Sequence, residues 1–159
     1  MKKNKIILGF CFLIFISSLA ILILNKFEIV INYSESLPYK FVVIDKEKKP
    51  KNKGDITVFY VFDSKQLGVK KIKFIKIFGG STGSYILVKD NKIFIDNSFI
   101  GTIKEYSKNN QKLNPISSQI ISTQKYFFYS PHPDSFDSRY QEIGLIDEKN
   151  IVGTAIFAY

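Results

Sequence analysis

Cysteine, histidine and tryptophan are almost missing from this chain. It has one Cys, one His and no Trp among 159 residues. The lone Cys11 sits inside an apolar run, so no disulfide and no cysteine-based metal site can form within one chain. With His132 as the only histidine, a multi-histidine metal centre is excluded and any Ser-His arrangement must use that one residue. No metal and no cofactor is expected. Proline and glycine are sparse, at 5 and 9 residues, and no internal repeat, long loop-forming tract or long amphipathic helix is evident. Acidic residues are also in deficit, 14 against 23 basic ones, for a net charge of +9. The lysines are spread along the chain, which suits an anionic membrane surface or a nucleic-acid partner without choosing between them. An AT-rich genome gives the same Lys/Ile/Asn/Phe bias. No recognition helix or aromatic stacking motif appears, so no nucleic-acid partner is expected.

What is present begins with Met1-Lys2-Lys3-Asn4-Lys5, followed by residues 6–24 without a charge. At ~1.5 Å per helical residue this run reaches roughly 28 Å, close to the ~30 Å hydrocarbon thickness of a bilayer. Lysines before it place the N-terminus in the cytoplasm and the remainder outside. Ser18-Leu19-Ala20 offers a small-x-small cleavage site, the alternative of a removed signal peptide, but Ile21-Leu22-Ile23-Leu24 carries the apolar run past it. The expectation is a retained single-pass anchor over residues 1–26, in the inner (cytoplasmic) membrane, and one extracytoplasmic domain over 27–159.

That domain reads as mainly β, from its β-branched and aromatic content. Strands are expected at residues 27–32, 40–44, 56–62, 70–78, 85–88, 92–95, 125–129 and 151–157, with a short one near 99–103. Residues 63–69 read as a connection, Gly79-Gly80-Ser81-Thr82-Gly83 as a tight turn, and the polar stretch 104–118 as a mobile excursion. Residues 130–140 read as irregular. Alternation along 70–78 puts Lys76 on the same side as Ile72 and Phe74, an unusual place for an ammonium group. Such a lysine either snorkels to water or has its pKa depressed by burial.

Five stretches, in chain order, resemble motifs of the type I signal peptidases, serine peptidases that remove export signals. Ser34-Glu35-Ser36-Leu37-Pro38 is similar to the family's Ser-x-Ser-Met/Leu-Pro nucleophile motif. Gly54-Asp55-Ile56-Thr57-Val58-Phe59 is similar to its Gly-Asp strand. Phe74-Ile75-Lys76-Ile77-Phe78-Gly79-Gly80-Ser81-Thr82-Gly83-Ser84 is similar to its lysine box. His132-Pro133-Asp134-Ser135-Phe136-Asp137-Ser138-Arg139-Tyr140 is similar to its closing box, in the form associated with the conjugative-transfer (TraF-type) branch. Ile151-Val152-Gly153-Thr154-Ala155 resembles the usual ending. Two departures stand out: Ile77 where the family has arginine, and Ser84 where it has aspartate.

The resemblance implies a signal-peptidase-like β-sheet or barrel domain with a Ser/Lys dyad. Ser36 is the implied nucleophile and Lys76 the general base, with Lys73 a rival by spacing. A serine hydroxyl needs such a base at neutral pH, and a lysine qualifies only when its ammonium form is disfavoured. Ser34 and the Ser36 N–H would form the oxyanion hole, Ser135 would orient the lysine, and Asp137 with Arg139 would brace Ser135. Against this, Asp137-Arg139 reads equally as a surface ion pair and Ser135 as a turn residue. The partners implied are the membrane and a precursor protein, most plausibly the pilin of a conjugative system, released by hydrolysis or cyclised. A general signal peptidase and a non-catalytic anchored assembly component are the alternatives.

Overall fold

The computed structural model describes residues 2–64 and 68–159. A single helix, α1 (Lys2–Lys26), leads into β1 (Phe27–Ile31), β2 (Phe41–Asp45), β3 (Ile56–Ser64) and β4 (Val69–Ser81). Then follow β5 (Tyr85–Lys89), β6 (Lys92–Ile95), β7 (Ser98–Thr102), β8 (Gln119–Ile120) and β9 (Lys125–Tyr129). β10 (Ile146–Asp147), a 3-10 turn (Glu148–Asn150) and β11 (Ile151–Ala158) complete the chain. Among the described residues α1 is the one helix long and apolar enough to cross a membrane, with a mean hydropathy of 2.0 over Gly9–Lys26 and none of that window buried. The expected connection over 63–69 falls partly outside the described residues.

Two antiparallel sheets form, the first in the order β1-β2-β11-β3-β4-β9-β10 and the second β7-β6-β5-β8. Alternating side chains give the large sheet two apolar faces. One buries Val30, Val42, Ile44, Val58 and Ile75, and the other Phe59, Val61, Phe78, Phe128 and Ile151. Phe59 and Phe128 stack there with ring centroids 4.5 Å apart. A third cluster joins the sheets through Ile86, Ile93, Ile95 and Phe127. Hairpin turns at Asp90-Asn91 and Asp96-Asn97 hold both central residues at positive φ, between 50° and 65°, which Asn and Asp tolerate best.

In that order β1 and β4 are separated by three strands, yet Glu28 on β1 ion-pairs with Lys73 on β4. The large sheet therefore curls back on itself into an open half-barrel. β9 pairs with β4 only from Ile77 onward, and β1 is the sheet's edge, so 72–76 and β1 face each other as free strand edges across a cleft.

Two sequence expectations are corrected here. Gly79 and Gly80 are not in the turn but continue β4, opposite Phe127 with a bulge between Phe78 and Gly80. A Cβ at Gly80 would lie 2.9 Å from the Ile95 methyl, so this glycine serves close packing of the two sheets. Gly83, at φ 88°, is the one that makes the turn. Residues 104–118 are not a detached excursion either. Leu113 and Ile116 are buried, and Ile116 N–H donates to the Arg139 carbonyl at 2.9 Å.

Candidate active site

Lys76 enters the site because β4 pairs with β3 through Thr57, between the apolar Phe74 and Phe78 positions of the same face. Its side chain is buried, only 5% exposed. The ammonium group lies 5.5 Å from the centroid of the Phe74 ring and donates to Ser135 Oγ at 2.8 Å. Burial depresses its pKa to about 8; the nearby Asp137 charge opposes the shift and Arg139 adds to it.

Lys73 has the opposite electrostatics. Desolvation is the largest single influence on it and works downward, but the hydrogen bond and charge of Glu28, with Tyr60, outweigh it and leave the pKa raised. Lys73 is thus held as an ammonium ion while Lys76 is pushed toward the free amine.

The segment 32–40 closes on itself, with Asn32 N–H donating to the Lys40 carbonyl at 2.8 Å. Inside it Ser34 Oγ and Ser36 Oγ are 2.8 Å apart. Ser36 is buried, whereas Glu35 between the serines is exposed. The Ser36 carbonyl accepts a hydrogen bond from the hydroxyl of Ser130, a fully buried residue 94 positions away. Ser130 and Asn32 are functional-site residues that sequence reasoning missed. Ser130 opens the stretch read as irregular and Asn32 ends the strand expected over 27–32, and their partners emerge only on folding.

Ser135 and residues 137–140 of the closing box are buried. Asp137 and Arg139 are 0% and 1% exposed, which settles against an ordinary surface pair. Arg139 Nε donates to Asp137 Oδ1 at 2.8 Å and its terminal nitrogen to Oδ2 at 2.9 Å, a bidentate pair. The same guanidinium reaches the Thr102 and Ser135 carbonyls at 3.0 and 3.1 Å. Asp137 Oδ2 also accepts the Ser130 N–H at 3.0 Å. One buried ion pair therefore ties Ser135 to Ser130, and through Ser130 to Ser36.

Ser34, Ser36, Lys76 and Ser135 all line one cleft of about 770 Å³ between the free edges of β1 and β4. Asp137 and Arg139 stand behind it. Ser36 is hydrogen-bonded to Ser34 and Lys76 to Ser135; among the described residues no hydrogen bond joins Ser36 to Lys76 directly. His132 also lines the cleft, but its Nδ1 already accepts the Asp134 N–H at 3.2 Å. Ile77, at the family's arginine position, packs against the Val58 and Ile75 cluster.

A cleft edged by two open strands, with hydroxyls on one wall and a depressed amine on the other, is a protease-like architecture. The family model for signal peptidase, peptidase S26, matches residues 3–159, and the chain belongs to that family. Membership makes it a serine peptidase acting on signal-bearing precursors, and α1 is consistent with a single-pass membrane anchor. No curated protein matches the chain.

Proposed function

We propose that this chain is a membrane-anchored endopeptidase in which Ser36 is the nucleophile and Lys76 the general base. Residues 1–26 are the anchor and 27–159 the catalytic domain on the extracytoplasmic side of the inner membrane. The observation that carries this reading is the Lys76 amine: buried, aimed into the cleft that Ser36 lines, and lowered to a pKa of about 8. Lys73, ion-paired to Glu28, does not meet that requirement.

A precursor segment lies extended between β1 and residues 72–76, whose unpaired backbone groups can bond it as an added strand. The neutral Lys76 amine takes the proton from Ser36 Oγ as that oxygen attacks the scissile carbonyl. The Ser36 N–H and the Ser34 hydroxyl stabilise the oxyanion, a single such donor being worth about 10²–10³ in rate. Lys76, now an ammonium ion, protonates the departing amine, and the acyl-enzyme goes to water or to an amine of the product. Ser135 holds Lys76, and the Asp137-Arg139 pair holds Ser135.

The precursor is most plausibly the pilin of a conjugative transfer system. The His132-Pro133-Asp134-Ser135 form of the closing box supports that choice over a general signal peptidase. The test is co-expression with a pilin precursor and with a general secreted precursor, comparing the unsubstituted chain with Ser36→Ala, Lys76→Ala and Lys73→Ala. Ser36→Ala and Lys76→Ala are expected to abolish cleavage and Lys73→Ala to retain it. Cleavage that survives Ser36→Ala contradicts the assignment. Intact-mass measurement of the product separates a hydrolysed from a cyclised chain.

A further inference from the structure

Asn32 makes four side-chain hydrogen bonds, and their directions are fixed by what they meet. Its Nδ2 faces two carbonyl oxygens, donating to Leu37 at 3.2 Å and Tyr39 at 2.8 Å. A carbonyl oxygen only accepts, so the amide group has to sit in this orientation and not its flipped one. Its Oδ1 therefore points at Ser34, accepting the backbone N–H at 3.1 Å and the hydroxyl at 2.9 Å. Ser34 has one hydroxyl hydrogen and gives it to Asn32. The 2.8 Å contact between the two serine oxygens is then donated by Ser36.

From this we infer that Asn32 is the positioning residue of the oxyanion hole, acting through Ser34; the inference rests on the Ser36/Lys76 reading above. Ser34 is an exposed residue, and outside this network its side chain has three staggered rotamers to choose from. The Asn32 acceptor selects the one that keeps Ser34 Oγ against Ser36. When negative charge develops on the attacked carbonyl, that oxygen is a stronger acceptor than a neutral amide. The Ser34 hydroxyl then swings its hydrogen from Asn32 to the oxyanion without moving its oxygen. The backbone N–H bond to Oδ1 and the two Nδ2 bonds hold the segment throughout. Asn32 touches neither substrate nor proton in flight.

The test is a double-mutant cycle on the full chain in detergent, with Asn32→Ala, Ser34→Ala and the pair. The substrates are the pilin precursor and the general secreted precursor of the test above, and the one that the unsubstituted chain cleaves is used for the cycle. Asn32→Ala is expected to lower kcat about 10- to 100-fold, less than the ~10²–10³ of an oxyanion donor removed outright because the Ser34 hydroxyl is still present, with KM little changed. In the Ser34→Ala background the same substitution is expected to cost several-fold less, leaving only the bonds to the Ser34 N–H and the Leu37 and Tyr39 carbonyls to lose. A residue that merely shapes the segment would cost as much with Ser34 absent as with it present. Should Asn32→Ala fail to fold, Asn32→Gln displaces the amide oxygen by one methylene, and the cost of Ser34→Ala is expected to shrink in that background. Ser36-dependent cleavage with additive Asn32 and Ser34 effects overturns the inference and leaves the peptidase reading standing. No cleavage by the unsubstituted chain, or cleavage surviving Ser36→Ala, overturns both.

Discussion

Lys76 and Lys73 are three positions apart on one strand and have opposite fates. The difference is a matter of face and neighbour: Phe74 and Ser135 surround one amine, Glu28 and Tyr60 the other. Alternation along β4 made the unusual position of Lys76 legible in the sequence. It did not decide between the two lysines, because Glu28 lies 45 residues away and meets Lys73 only when the sheet curls. Arg139 makes a second case. Sequence alone left open whether it was a surface partner of Asp137, whereas the fold buries both. Removing one member of a buried pair leaves the other charge unpaired, at a cost of about 3–5 kcal/mol. Arg139→Met is therefore expected to lower the unfolding free energy by that order, read by denaturant titration of the detergent-solubilised chain. A loss under ~1 kcal/mol would mark the pair as no stronger than an exposed one.

Strands rich in β-branched and aromatic residues, such as β3, β6, β9 and β11, were readable from the sequence. β8 and β10 were not, since each is two residues long and exists only as a pairing with β5 or β9. Gly79 and Gly80 misled for a physical reason. Glycine is used for conformational freedom and for space, and the sequence does not say which. Gly153 in β11 is a case of space. A Cβ there would lie 2.6 Å from the Asp45 carbonyl oxygen and 3.0 Å from Lys46 Cα, both backbone atoms that cannot swing aside. β11 lies between β2 and β3, so the clash would push apart the middle of the large sheet. Gly153→Ala is expected to destabilise the fold by at least the ~1–3 kcal/mol typical of overpacking, seen as a lowered Tm. An unchanged Tm would mean that β11 shifts register at no cost.

α1, the proposed anchor, and the sheet are joined without a spacer, β1 beginning at the residue after α1. Lys26 lies 3.3 Å from Glu47, and Lys46 donates to the Leu24 carbonyl at 3.1 Å, so polar contacts hold the helix end against the sheet. Ser36 follows the helix by only about ten residues, and even at ~3.4 Å per residue that keeps it within a few tens of Å of the bilayer. The large apolar side chains of α1 described as exposed run from Phe10 to Leu24, and none of them belongs to the domain's core clusters. A chain beginning at residue 27 is expected to keep a cooperative melting transition and to lose co-sedimentation with lipid vesicles. It should cleave a membrane-inserted precursor far more slowly than the anchored chain does, with less difference on a soluble peptide. Equal rates on both substrates would contradict a positioning role for the anchor.

The central claim, that an uncharged Lys76 takes the proton from Ser36, is tested most directly by the pH dependence of kcat/KM. Only the free amine accepts a proton, so the rate is expected to climb as pH rises through about 8, the pKa to which burial lowers Lys76. Above that midpoint the rate should level off. A profile that is flat across this range, or one whose rise is lost in His132→Ala, would contradict it.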